Sequence, residues 1–250
     1  LVALTRYHQI RSRQTGHVRR FDDVDRDRAG AILKGAREAG REYLTAAEAY
    51  GLLVAYGLPV ALWRVAGSAG EAVQAAVEIG FPVVVKADAG SIVHKSDVGG
   101  VAVDLRDGDA VRAAAEGMAG RFGTEGLQFF VQEYCPGGLE VIVGAKAEKG
   151  LGHLVMFGVG GIYVEVLKDV VFKLTPVTTV EAGEMLSSIR AAPLLEGVRG
   201  SAGVDREGLI GVIERLSQLV TEQPAIREMD LNPIIAYADR VCVVDARVSL

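Results

Sequence analysis

The sequence predicts an α/β protein of two subdomains with a cleft between them. Three observations carry this. Its 250 residues, half of them hydrophobic, suffice for one or two buried cores. From Thr45 to about residue 125, helical periods alternate with short apolar strands. From residue 127 to 174 the chain reads as successive strands parted by glycine and proline turns, a pattern suited to antiparallel pairing.

In order, residues 1–44 read as a short helix, an extended stretch from about Gly16 to Phe21, and a helix up to Gly40. Thr45 and Glu48 match a capping box, in which hydroxyl and carboxylate each satisfy a free amide, and open a helix through Leu52 and Leu53 to Gly57. Pro59 to Val65 is a strand. Ser68 and Glu71 repeat the box before a helix that stops at Gly80. Pro82 to Lys86 is a short buried strand, followed by a loop from Ala89 to Val98, a strand at 101–105 and a helix at 109–122. Strands are expected at 127–134 and 139–147, parted by Pro136-Gly137-Gly138, then at 152–157, 162–167 and 170–174. Helices at 179–190 and 206–220 and strands near 226–231 and 241–246 close the chain.

Composition excludes several classes. No stretch approaches the ~18 apolar residues a membrane helix needs. The arginine-rich start lacks the apolar region of a signal peptide, and Leu1 in place of Met reads as a piece of something longer. Cys135 and Cys242, far apart in sequence, form neither a disulfide framework nor a CxxC metal site, so a reducing, cytoplasmic compartment is expected. The net charge of −5 hides an asymmetry, with ten Lys/Arg against six Asp/Glu in residues 1–44. Those arginines alternate with Asp22, Asp23, Asp25 and Asp27, which fits a linker or docking surface better than a nucleic-acid arm.

The signatures of P-loop, Rossmann, zincin and α/β-hydrolase sites are missing. Three clusters remain. Lys86 closes an apolar strand, where an ammonium is costly to desolvate. It either snorkels to water or meets an anion. The loop after it holds His94, Lys95, Ser91, Ser96, Asp97 and the pair Gly99-Gly100. Such glycines let backbone approach a phosphate, and a neutral histidine can accept a phosphoryl group. The glycine-rich turn at Gly158, Gly160 and Gly161 is either a nucleotide cover or a tight hairpin. Asp230 and Asn232, two apart on a strand, share a face, and with Asp245 they are either a hard oxygen cluster suited to Mg²⁺ or a polar strand end before a proline turn.

These clusters occur together and in order. HKSDVGGV at 94–101, VQEYCPGGLEVIVG at 131–144, MFGVGGIYVEVLKDV at 156–170, PLLEGVRG at 193–200 and EMDLNP at 228–233 resemble the ATP-grasp domain of ADP-forming acetate–CoA ligases. That domain is the β part of NDP-forming acyl-CoA synthetases. The resemblance covers about residues 44 to 248. It implies an ATP-grasp fold, with a connecting segment at 1–44, one subdomain at 45–125 and another at 126–250. It implies ATP or ADP with Mg²⁺ as ligands. Lys86 would reach the phosphates, and Gln132, Glu133 and Tyr134 would form the adenine hinge. Glu140 would hold the ribose, and Gly160-Gly161 would cover the phosphates. Asn232 and Asp245 would hold Mg²⁺, with Asp230 and Glu165 the next candidates. His94 would carry phosphate transiently, with Lys95 and Asp230 beside it.

The resemblance also implies a CoA-binding α part, in cis or in trans, that supplies the small-molecule acid, and an oligomer in the full assembly. Neither nucleic acid nor membrane is an expected partner. Two other readings stay open: a nucleotide-sensing regulatory module of a larger protein, and an unrelated ATP-grasp carboxylate ligase. The acyl group and the choice between ADP and GDP are not legible.

Overall fold

The computed structural model describes residues 16–88, 99–161, 169–197 and 202–250. Helices α1 (Arg26–Glu38) and α2 (Ala46–Ala55) lead into β1 (Trp63–Ala66), α3 (Ala69–Ile79), β2 (Val83–Asp88), β3 (Val101–Leu105), α4 (Gly108–Phe122) and β4 (Gln128–Glu133). Then come β5 (Leu139–Glu148), β6 (Gly152–Val159), β7 (Val170–Leu174), α5 (Thr179–Ser188), α6 (Ala192–Glu196) and α7 (Arg206–Glu222). Strands β8 (Glu228–Ala236), β9 (Val241–Val243) and β10 (Arg247–Ser249) close the chain. The expected strand at 162–167 lies outside the described residues.

The strands form two sheets. One runs β1-β4-β2-β3, the other β10-β8-β5-β6-β7 with β9 on β8. Each pairing between described strands is antiparallel, in the helix-alternating half as well as in the strand-rich one. Helix starts follow local chemistry. Thr45 and Glu48 complete their capping box, and Thr178 and Glu181 complete another at α5. Ser68 forms only half of one. Its hydroxyl accepts from the Glu71 amide, but the Glu71 carboxylate takes the Gly67 amide at 2.7 Å, one residue earlier.

Two cores lie on these sheets. In the smaller, Val83, Val85 and Ala87 of β2 and Phe129 and Val131 of β4 pack against α3 and α4 through Ala72, Ala76, Val111, Ala115 and Met118. In the larger, α7 presents Leu209, Val212, Ile213, Leu216, Leu219 and Val220 at helical spacing to the six-stranded sheet. Ala29, Leu33 and Ala36 of α1 and Leu52 and Leu53 of α2 join that larger core.

The packing therefore groups residues differently from the expected division at 44/45 and 125/126. Helices α1 and α2 go with the six-stranded sheet, and β4 goes with the four-stranded one. The physical reason is topology: β4 enters between β1 and β2, a non-local pairing that no local pattern encodes. The stretch read as a linker is clasped onto α7. The Phe21 amide donates to Gln218 Oε1 at 2.8 Å, and the Phe21 carbonyl accepts from Gln218 Nε2 at 3.0 Å. Arg215 pairs with Asp23 at 2.8 Å and lies 3.9 Å from the centroid of the Phe21 ring.

Candidate functional site

A cleft of about 1060 Å³ opens between the two sheets. Its small-sheet wall arises from strand alternation. Val83, Val85 and Ala87 turn into the smaller core, so Val84, Lys86 and Asp88, on the other face of β2, line the cleft. On β4, Phe129 and Val131 turn inward likewise, and Gln132 lines the cleft. Lys86 is buried, yet it does not carry an unpaired charge. Its Nζ donates to Asp245 Oδ1 at 2.8 Å and to the Val244 carbonyl at 2.8 Å. The cation expected on phosphate and the carboxylate expected on metal thus hold each other, with Asp245 still half exposed.

The opposite wall comes from β8 and the segment after β9. Asp230 and Asn232 share a face as their spacing predicts, and the Asn232 amide donates to the Asp245 carbonyl at 3.2 Å. Burial pushes the Asp230 pKa up; the Asn232 side chain, hydrogen-bonded to it, opposes this, and the Asp245 charge adds to it. These are hard oxygen donors, and Mg²⁺ commonly uses one or two carboxylates beside phosphates and water, so the set fits that ion. Among the described residues no group of three or more His, Cys, Asp and Glu side chains forms a metal cage.

Glu133, Tyr134, Cys135, Pro136, Gly137 and Gly138 form the linking end of the cleft. The Glu133 amide already donates to Leu62 O at 2.8 Å and the Tyr134 amide to Pro82 O at 3.2 Å. Those two amides are committed, so hinge contacts to a base would come from its other backbone groups. The Gln132 side chain serves the packing of the cleft wall. It is 1% exposed, its amide nitrogen donates to Val244 O at 3.1 Å, and its side-chain oxygen accepts from Tyr50 Oη at 3.3 Å. Its side chain braces the Asp245 segment against β4. Glu140 lines the cleft at the start of β5, and the Gly160 amide donates to its carbonyl at 2.7 Å. A Cβ at Gly160 would come within 3.1 Å of Glu140 Cβ, so a side chain there would have to push Glu140 aside by a few tenths of an ångström. Gly161 follows at φ +70°, the left-handed region that favours glycine.

Lys86, Gln132, Glu133, Tyr134, Glu140, Asp230, Asn232 and Asp245 are thus gathered around one cleft, with Gly160 stacked beside Glu140. His94, Lys95 and Glu165 lie outside the described residues. Residues that sequence reasoning missed are Asp88, Arg41 and Arg247, all lining the cleft. Asp88 had a signal, since it stands two residues beyond Lys86 on the same strand. Arg41 had none. It reaches the cleft only because α1 and α2 pack together, where it forms a paired fork with Glu48.

Comparison with known proteins gives a consistent picture. A family model described as an ATP-grasp domain matches residues 35–250. A 4-hydroxybutyrate–CoA ligase (ADP-forming) of Nitrosopumilus maritimus is 39% identical over 100% of this chain, which spans 37% of that protein. The β subunit of acetate–CoA ligase (ADP-forming) I of Pyrococcus furiosus is 40% identical, over 89% of this chain and 98% of that subunit. The dinucleotide-forming acetyl-coenzyme A synthetase 1 of Ca. Korarchaeum cryptofilum superposes with a TM-score of 0.81 at 40% identity. The match covers 89% of this chain and 99% of that one, in a complex with coenzyme A and Mg-AMPPCP whose phosphohistidine segment points towards the nucleotide binding site.

Proposed function

The chain belongs to the ATP-grasp domain family, and from that premise we propose that it is the nucleotide-binding, phosphoryl-transferring half of an ADP-forming acyl-CoA synthetase. The whole reaction would convert acyl-CoA, ADP and phosphate into acid, ATP and CoA. This chain would perform the step at the nucleotide. The relatives are separate β subunits or stretches of longer chains, so a CoA-binding part, in cis or in trans, would supply the acid and the acyl phosphate.

One observation carries the reading: a buried lysine and a set of hard oxygen donors face each other across a single cleft. Phosphoryl transfer asks a protein for positioning and charge neutralisation more than for covalent help. Lys86 would leave Asp245 and neutralise phosphate oxygens. Asn232 and Asp245 would then hold Mg²⁺, which would neutralise part of the phosphate charge. The Glu133–Gly138 link would take the base through backbone groups, and Glu140 the ribose hydroxyls. Asp230, with its raised pKa, would orient a histidine beside the phosphates rather than bind metal.

His94 would accept the phosphoryl group and pass it on, splitting one long transfer into two short ones. With the CoA-binding half added in trans, single-turnover transfer of labelled phosphate tests this. The His94→Asn chain should still bind Mg-ATP but lose transfer by well over the ~10²–10³-fold that removal of one electrostatic donor costs. Transfer at a wild-type rate would return His94 to an ordinary loop residue.

A further inference from the structure

Cys135 and Cys242 stand 107 residues apart, yet their sulfurs lie 3.5 Å from each other. Both are buried in a small cluster with Ala61 and Ile235, separate from the two main cores. Cys135 also lines the cleft, immediately after the linking residues Glu133 and Tyr134. Cys242 sits on β9, opposite Ile235 of β8, and three residues before Asp245. We propose that this pair is a dithiol that small hydroperoxides convert reversibly to a disulfide at the back of the cleft.

The two thiols are unequal. The hydrogen bond between them holds the Cys135 thiol below its ordinary range against the pull of burial, and the same bond with burial pushes Cys242 up. Cys135 is therefore the attacking sulfur, and the cleft is its route to an oxidant small enough to enter. Its thiolate attacks one oxygen of the hydroperoxide, breaking the O–O bond and releasing hydroxide or alkoxide, and becomes a sulfenic acid. Cys242 attacks that sulfur, gives up its proton and displaces water. Two thiols are oxidised, and the peroxide is reduced to two waters, or to water and an alcohol.

The sulfurs must close from 3.5 Å to about 2.05 Å. That movement draws β9, and with it the segment that carries Asp245, towards the link between the two sheets. Given the nucleotide reading above, the disulfide hinders cleft adjustment and weakens Mg-ATP binding by about tenfold, a usual coupling between two sites.

The test treats the full chain with hydrogen peroxide and follows intact mass, thiol titre and the Mg-ATP-dependent melting temperature. Wild type should lose two hydrogens and both thiols together, and dithiothreitol should restore them. Cys242→Ser, which cannot complete the bond, should instead gain one oxygen, trapped by a sulfenic-acid reagent on Cys135. Two intact thiols in wild type, or oxygen addition to wild type without disulfide, overturns the site. A disulfide that leaves the Mg-ATP response unchanged overturns the coupling alone. If even the reduced protein ignores Mg-ATP, the nucleotide reading fails, while mass and thiol titre still decide the dithiol.

Discussion

The two sheets deliver polar groups to the cleft in opposite ways. On the four-stranded sheet, Lys86 and Gln132 project from strand interiors whose other face is a packed core, and both are buried. On the six-stranded sheet, Asn232 within β8 and Asp245 just after β9 are exposed, with Asn232 N donating to Asp245 O and the Asp245 carboxylate reached by Lys86 from the other sheet. The cationic side is organised by the fold, whereas the oxygen donors are left for a ligand to organise. On the proposed function, the ion pair between buried Lys86 and half-exposed Asp245 would be a resting arrangement that a polyphosphate with its metal replaces.

The comparison breaks first at the larger core, because that core positions β8 and its donors. Phe157→Ala empties a fully buried site on β6. It should cost about 3–5 kcal/mol in chemical denaturation. A loss below about 1 kcal/mol would mean that this sheet rests on something other than its packed interior.

A smaller effect is expected where the donors are exposed. Asp245→Asn keeps shape and removes one charge, so the Mg²⁺ needed to support ATP binding should rise about tenfold, the scale of one charge-assisted hydrogen bond. An unchanged Mg²⁺ titration would move the ligand role to Asp230 or Glu165.

The smallest effect sharpens the same contrast through pH. Burial raises the Asp230 pKa above its ordinary 3.8. The protonated acid therefore favours the folded state below that value, and this contribution is lost as pH rises through the raised pKa. Asp230→Asn should match wild-type stability in acid and exceed it at neutral pH. Equal melting temperatures across the whole range would show that Asp230 is not strained by burial.

Much of this was legible in the sequence, and the gaps have physical causes. Strands β2, β4 and β5 and helices α2, α3, α4 and α7 announce themselves through apolar period, caps and glycine stops. Helix α6 spans five residues, too short for a period to register. Helix α1 buries only Ala29, Leu33 and Ala36 beneath a charged exterior, so its place in a core is invisible without α2 beside it. The Pro-Val-Val-Val-Lys run reads as buried, but that its two faces serve a core and a cleft depends on the distant strand β4, whose Phe130 pairs with Lys86. Asp230, Asn232 and Asp245 were readable as a cluster. The buried role of Gln132 and the meeting of Cys135 with Cys242 were not, because both depend on non-local strand pairing.

We propose that Lys86 exchanges Asp245 for phosphate when nucleotide enters the cleft. The most direct measurement is the melting temperature of wild type and Lys86→Ala over a titration of Mg-ATP. Binding to the folded state alone raises the wild-type value with concentration by mass action. Loss of one charge-assisted contact of about 1.5–3 kcal/mol should shift the Lys86→Ala response to concentrations about ten- to a hundredfold higher. Superimposable curves for the two proteins would contradict the account.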